Sequence, residues 1–245
     1  VNNYNGVING IRSFVTTGAG NLNILNEAAA TSTFAVTSAG NVTTVGGTVT
    51  VTADTSPASL TKLTILGVTV GGVGAEFVLD ETGDGTAILD LDAASAEQTI
   101  TGNINGVGAG EGHLKLQAGG DGNVITGAIG NDKSIRLLDV DVNSTFSSTV
   151  AATTIDSEAT STFSGDVTAT SVTVNGSSKV VTLNGDITAT TITIDTASVD
   201  ANGDITSNVV LANAAGDLLV SGTADQTLTG TITATNGEGS LIVTN

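Results

Sequence analysis

Between Ala159 and Thr206 apolar and polar residues alternate one for one, and the phase of the alternation flips at regular places. Gly165-Asp-Val-Thr-Ala-Thr-Ser-Val-Thr-Val-Asn175 is followed, twenty residues on, by Gly185-Asp-Ile-Thr-Ala-Thr-Thr-Ile-Thr-Ile-Asp195. Val167 thus falls on Ile187, Ala169 on Ala189, Val172 on Ile192 and Val174 on Ile194, and a third copy opens at Gly203-Asp-Ile-Thr, eighteen residues later. A period of two is the mark of a half-buried strand. A straight strand that slipped phase between Ala169 and Val172 would turn its second half outward, so a corner is expected there and again between Ala189 and Ile192. Each copy reads as strand, corner, strand and turn: one rung of a β-solenoid, whose neighbours bury a core that no rung could bury alone.

The same strand reading extends over 41–52, 60–70, 76–80, 86–91, 113–117, 134–142 and 208–220. Breaks are expected at Gly46-Gly47, Gly71-Gly72, Gly83–Gly85 and Gly119-Gly120. Further breaks are expected at the Asn-Gly pairs that start at Asn5, Asn105, Asn184, Asn202 and Asn236. Pro57 is the only proline and is assigned to a loop. Ile24–Ala30 and Ala93–Gln98 could each hold one helical turn, without sustained helical periodicity.

A longer repeat overlies the rungs. Ala96-Glu-Gln-Thr-Ile-Thr-Gly102 returns as Ala224-Asp-Gln-Thr-Leu-Thr-Gly230, and Gly110-Glu-Gly112 as Gly237-Glu-Gly239, each followed by a leucine, Leu114 and Leu241. Ala30-Thr-Ser-Thr-Phe34 returns as Ala159-Thr-Ser-Thr-Phe163, and Ile11-Arg12 parallels Ile135-Arg136. The expectation is an all-β chain, a parallel β-solenoid of about a dozen rungs in two tandem modules, 1–123 and 124–245, forming one continuous solenoid. Neither end shows a polar cap in the sequence, and the start at Val1 without Met or an apolar leader reads as a mature or excised piece of a longer product.

Composition sharpens this picture. Only six of 245 residues are aromatic, so the apolar volume comes from aliphatic side chains, which suits a narrow lumen better than a wide globular core. There is no cysteine, so no disulfide and no cysteine-based metal site. A net charge of −18 with six lysines and arginines argues against nucleic acid or an anionic membrane as partner, and no apolar run is long enough to insert in a bilayer as a helix.

Candidate chemistry is sparse. Asp80-Glu-Thr-Gly-Asp84-Gly85, with Asp90 and Asp92 just beyond, is the most site-like stretch, and calcium is the ion it would take, since hard cations want clustered oxygens. The bidentate glutamate of an EF-hand is missing, with Leu91 in its place, and the competing reading is a solvated acidic turn. Gly119-Gly-Asp-Gly122 lacks the later aspartate of calcium-binding nonapeptides. Asp139, Asp141 and Asn143 share one strand face and read as an outer rung surface. His113, the single histidine, has only Glu111 nearby to orient it and reads as a surface or turn residue. Asn41, Asn143 and Asn175 open glycosylation sequons of the kind that chance supplies in a threonine-rich chain. No catalytic or cofactor-binding group is assigned and no cofactor is required. A polysaccharide-acting enzyme would need basic or aromatic groove residues, which are scarce.

Thr101-Gly-Asn-Ile-Asn-Gly, Gly112-His-Leu-Lys-Leu, Ile125-Thr-Gly-Ala-Ile-Gly-Asn131 and Thr162-Phe-Ser-Gly-Asp-Val-Thr-Ala169 resemble the passenger repeats of large bacterial surface proteins, most nearly the rickettsial outer-membrane surface-antigen and autotransporter group. The acidic composition, rich in Thr, Ala, Gly and Val, is similar to that of S-layer proteins. The resemblance implies a surface-exposed parallel β-solenoid, and the membrane-inserting barrel of that group has no counterpart in this sequence. The functional expectation is a secreted structural protein of the cell exterior that polymerises with itself, end to end or laterally, into a fibre, filament or S-layer-like coat. The alternative is an adhesin or tail-fibre stalk whose partner is a host glycan, such as a cell-surface glycan, or a protein.

Overall fold

A computed structural model describes residues 7–11, 14–16, 22–25, 31–36, 42–44, 48–53, 60–65, 69–81, 85–92, 97–117, 122–235 and 239–244, with side chains from residue 48 onward except 69 and 73. Among these described residues twenty-five strands follow one another, and every pairing between them is parallel. The early strands are β1 (Val7–Ile11), β2 (Phe14–Thr16), β3 (Leu22–Leu25), β4 (Thr31–Val36), β5 (Val42–Thr44), β6 (Thr48–Ala53), β7 (Leu60–Ile65) and β8 (Thr69–Glu81). The middle ones are β9 (Thr86–Leu91), β10 (Gln98–Gly106), β11 (His113–Leu116), β12 (Asn123–Ile125), β13 (Ile135–Val140), β14 (Ser144–Phe146), β15 (Val150–Ser157) and β16 (Ser161–Phe163). The last are β17 (Val167–Val174), β18 (Val180–Leu183), β19 (Ile187–Ile194), β20 (Ser198–Ala201), β21 (Ile205–Leu211), β22 (Asp217–Val220), β23 (Leu228–Thr229), β24 (Ile232–Ala234) and β25 (Ser240–Val243). This is the parallel β-solenoid that the alternation implies.

Hydrogen bonding joins the strands into sheets of 12 and 13 members, each threaded by a path of eleven, so a dozen rungs is an approximate figure. Residue partners resolve the cross-section into three faces. The first holds Ile100, Ile125, Phe146, Phe163, Leu183 and Ala201 one above another. The second holds Phe77, Ile104, Ile129, Val150, Val167, Ile187 and Ile205. The third holds Leu63, Leu89, Leu114, Leu138, Ile155, Val172, Ile192 and Val209. All of these side chains are buried, and they fill the lumen. Phe146 and Phe163 stack with ring centroids 4.5 Å apart and planes 13° from parallel.

The corners fall where the phase slips. In β17 Val167 is buried, Thr168 and Thr170 are exposed, and burial resumes at Val172 and Val174; β19 repeats this with Ile187, Ile192 and Ile194. One expected break turns out to be continuous strand, and another to be a strand end. Gly71-Gly72 lies within β8, where Gly71 (φ +79°) and Gly74 (φ +77°) take the chain from the first face to the second without ending the strand. Asn105-Gly106 closes β10, with Asn105 buried and its amide donating to Glu76 at 3.0 Å. In the other direction, 208–220 is not one strand but β21 and β22 with a turn between them. Of the two helical turns considered, Ile24 and Leu25 end β3 and Gln98 opens β10; 26–30 and 93–96 lie outside the described residues, as do 54–59 and 118–121.

Rung length is not uniform. Along the third face, partners are 29 residues apart from Thr33 to Lys62, 26 from Lys62 to Ile88, 25 to His113 and 24 to Leu137. Beyond that they are 17 apart to Thr154, 17 to Ser171 and 20 to Thr191. The twenty-residue period of the later sequence therefore does not hold for the earlier rungs. The proposed module boundary falls inside β12, and pairing runs across it without a gap.

The long repeat has a geometric property that the sequence conceals. Phe34 lies on the third face, in β4, and its counterpart Phe163 on the first. Ile100 is on the first face and Leu228, opposite Ile205, is on the second. Ile104 is on the second and Ile232, opposite Val209, on the third. Leu114 is on the third and Leu241, opposite Leu218, on the first. These four positions have each moved on by one face, whereas Ile11 and its counterpart Ile135 stand on the same sheet path, in β1 and β13. A rung segment needs only an inward apolar position and a parallel neighbour, and all three faces supply both.

Candidate functional site

The acidic stretch is divided by the corner between the second and third faces. Asp80 stands near the end of β8, Asp90 in β9 and Asp92 just after it, while Asp84 lies outside the described residues. Asp90 should point outward, as it does, yet it is only 1% exposed. The neighbouring rungs cover it: Lys62 Nζ, from β7, donates to its Oδ2 at 2.7 Å, and the Thr64 hydroxyl donates to the same oxygen at 3.2 Å. The amide of Gln117, turned with its nitrogen toward Asp90, adds a contact at 3.3 Å and accepts from Lys115 Nζ at 3.3 Å. A carboxylate so paired already has its charge balanced, and no three acidic or histidine side chains converge on a common point among the described residues. The structure thus brings Asp90 to Lys62 rather than to Asp80.

Glu81, which the sequence did not single out, is also closely engaged. It is 8% exposed, accepts from Arg136 Nε at 2.9 Å and Nη2 at 3.0 Å, and caps the Ala87 N–H at 3.1 Å. This bidentate fork spans 55 residues of sequence and ties the end of β8 to β13. The glutamate raises the Arg136 pKa further, against the opposing effect of burial. No local spacing could have announced a partner that far along the chain.

Next to it, on the outer side of the third face, lie His113, Lys115, Asp139 and Asp141. His113 is in β11, not in a turn, and its side chain is 13% exposed. Its Nε2 lies 3.5 Å from Asp139 Oδ2, a charge contact too long and poorly aimed to be a hydrogen bond, so the nitrogen has no hydrogen-bonding partner among the described residues. Burial lowers the His113 pKa, with Asp139 pulling the other way and Arg136 and Lys115 adding to the effect. Lys115 donates to Asp139 at 3.0 Å and approaches Asp141 at 3.4 Å. Burial works against the Lys115 ammonium, but the Asp139 hydrogen bond and the two carboxylate charges outweigh it and raise its pKa. Asp141 is raised by burial and by Asp139, and Asp156 by burial, Glu158, Asp139 and Asp141 in turn. This is a charge ladder with more anions than cations at its upper end.

Two further arrays are built by stacking. At the corner before β17, β19 and β21 the chain reads Gly-Asp three times, at Gly165, Gly185 and Gly203. Asp166 Oδ1 accepts from the Asp186 N–H at 3.0 Å, Asp186 from Asp204 at 2.9 Å, and Asp204 from Thr227 at 2.7 Å. The glycines are stacked so closely that a Cβ on Gly185 would lie 2.5 Å from the carbonyl carbon of Gly165. Inside the lumen, Gln98, Asn123, Ser144 and Ser161 form a buried polar column at the opposite corner. The Gln98 amide donates to the Ile65 carbonyl at 2.8 Å, whereas the Asn123 amide nitrogen has no partner among the described residues. A shallow polar depression of about 170 Å³ opens over this column, lined in part by Glu97, Asn143, Thr145 and Thr162. None of these arrangements joins a nucleophile to a base, and they are chemically suited to hold rungs in register.

Comparison with protein-family models, with curated proteins and with solved structures found no match.

Proposed function

We propose that the chain is a structural element of a cell exterior, a secreted β-solenoid shaft that assembles with itself into a fibre, filament or surface coat. The observation that carries this reading is the unbroken parallel ladder of eleven strands on each path, which crosses the repeat junction without a gap. Backbone hydrogen bonds run along the axis, so tension is shared at each level by all the backbone bonds of that rung rather than by a few side chains. The outward positions of the later rungs are mostly Thr, Ser and Asp, which keep the shaft wetted. At about 4.8 Å per rung, eleven rungs make a rod of about 50 Å. The charge of −18 makes neighbouring rods repel, so salt or divalent cations favour their association by screening. Resemblance to surface-protein passenger repeats supports the same placement. An adhesin stalk that carries a glycan- or protein-binding tip fits the ladder equally, and differs in ending as isolated rods.

Negative-stain electron microscopy of the unheated chain, before and after EDTA, tests this. Ordered fibres or sheets are expected. Their dissolution by EDTA would assign a calcium ion to the assembly, with Asp80, Asp84 and Asp92 the first candidates to replace. Discrete rods at every concentration would leave the stalk.

A further inference from the structure

Four Asn-Gly pairs lie where side chains are described, and the fold treats them differently. Asn105 is buried in β10: its amide donates to Glu76, its Oδ1 accepts from the Asp132 N–H at 3.2 Å, and the Gly106 N–H donates to the Lys133 carbonyl at 3.1 Å. Asn184 and Asn202 are tied across the stack, Asn184 Oδ1 accepting from the Asn202 amide at 3.1 Å and Asn202 Oδ1 from the Ser221 hydroxyl at 3.0 Å. Asn175, in the half-buried turn between β17 and β18, is folded back on its own glycine, whose N–H donates to Asn175 Oδ1 at 2.8 Å. Thr196, from the next rung, touches both groups. Its hydroxyl accepts from the Gly176 N–H at 3.2 Å and donates to Asn175 Oδ1 at 3.3 Å. Gly176 holds φ +110°, and a Cβ there would lie 2.5 Å from the Glu158 carbonyl oxygen, so only glycine fits.

We propose that Asn175 is a site of spontaneous covalent modification, in which the Gly176 nitrogen displaces ammonia from the Asn175 side chain. Hydroxide removes the Gly176 amide proton, and the electron pair left on nitrogen forms a bond to Asn175 Cγ. The C=O π pair moves onto Oδ1, where the Thr196 hydroxyl donates to the developing oxyanion. The Cγ–Nδ2 bond breaks as the C=O re-forms, and Nδ2 leaves as ammonia with a proton taken from water, which restores the hydroxide. One water then adds to either carbonyl carbon of the cyclic imide and opens it, to aspartate or to isoaspartate. Nothing is oxidised or reduced, and water is the only co-reactant. The fold supplies proximity, since the reacting nitrogen already touches the amide it attacks.

The product also has a place in the stack. Ser157, Val174 and Ile194 pair in one column, so Glu158 and Asp195 flank Asn175 on the rungs before and after it. A new carboxylate at Asn175 stands between two others, and like charges on neighbouring strands are destabilising. Isoaspartate in addition inserts its Cβ into the main chain, at a residue whose N–H donates to the Ser157 carbonyl. Either product loosens this corner.

The test is ageing of the full chain at mildly alkaline pH, native and in urea, read by peptide mapping and by isoaspartyl methyltransferase labelling. In the native chain Asn175 is expected to convert about tenfold faster than Asn105, Asn184 and Asn202, and in urea the four should converge, because only local sequence then acts. Thr196→Val keeps the shape and removes the hydroxyl; it should slow native conversion at Asn175 about tenfold and leave the rate in urea unchanged. Native Asn175 reacting no faster than Asn184 or Asn202 would overturn the proposal, as would a folded Thr196→Val chain that ages at the wild-type rate.

Discussion

The rungs from β7 to β13 and those from β15 to β22 fill the lumen alike and are held in register by different means. The earlier rungs take 24 to 26 residues from partner to partner along the third face, and their outer surface carries Lys62–Asp90, Arg136–Glu81 and Lys115–Asp139, all ion pairs between rungs. The later rungs take 17 to 20 residues, hold no ion pair among the described residues, and are registered by Gly-Asp corners and stacked threonines. A short rung has little loop to absorb a misfit, so its corner must be identical from level to level. A longer rung tolerates varied corners, and specific charge pairs then select the register. The internal repeat underlies both, and its one-face shift is accommodated because neither device depends on which face it occupies.

The largest break is expected from a side chain at a later corner. Gly185→Val has no room against the Gly165 backbone, and should cost about 3 kcal/mol or more in denaturant unfolding, with loss of the β17–β21 rungs first. A valine on an earlier loop glycine outside such a stack would be milder. Phe163→Ala removes one ring of the stacked pair and leaves a cavity, for a loss of about 3–5 kcal/mol, measurable by the same unfolding curves. Among the earlier rungs, Lys62→Met leaves the Asp90 carboxylate covered and unpaired, and should cost about 3 kcal/mol. Lys62→Met combined with Asp90→Leu should recover much of that loss, and a double-mutant cycle in thermal unfolding checks it.

The smallest effect concerns pH, and it sharpens the contrast because it sits where the two regions meet. Asp141 and Asp156 have pKa values raised above the ordinary 3.8, so the stability linked to them is full below 3.8 and is lost as pH rises through their folded values. His113 is lowered from 6.5, so its contribution is present above that pH and is lost as pH falls through its folded value. Asp156→Asn should raise the melting temperature slightly at neutral pH and change nothing below about pH 3.8. His113→Gln should flatten the loss of stability seen on acidification below about pH 6.5.

Much of this was legible from residues alone. The corner at Ala169–Val172 and its repeat at Ala189–Ile192 could be placed because a phase slip in a period-two pattern has one steric solution. The parallel stacking followed from the register of Val167 on Ile187 and Ile205. Glu81 and Lys62 could not be found this way. Their partners lie 55 and 28 residues off, at rung lengths that vary in that half, so no fixed offset points to them. For the same reason Asp90 looked like a member of an acidic loop, when its neighbours across the sheet belong to β7 and β11.

Alternation of apolar and polar residues, repeated at rung length, by itself determined that this chain is a β-solenoid with a largely aliphatic lumen, since only stacked rungs bury such a pattern. The tertiary structure decided the three-faced cross-section, which outward charges meet, and that most of the repeated phrases move on by one face. Those depend on how many residues each corner consumes, and corner length accumulates along the chain, so it fixes contacts that no single segment encodes.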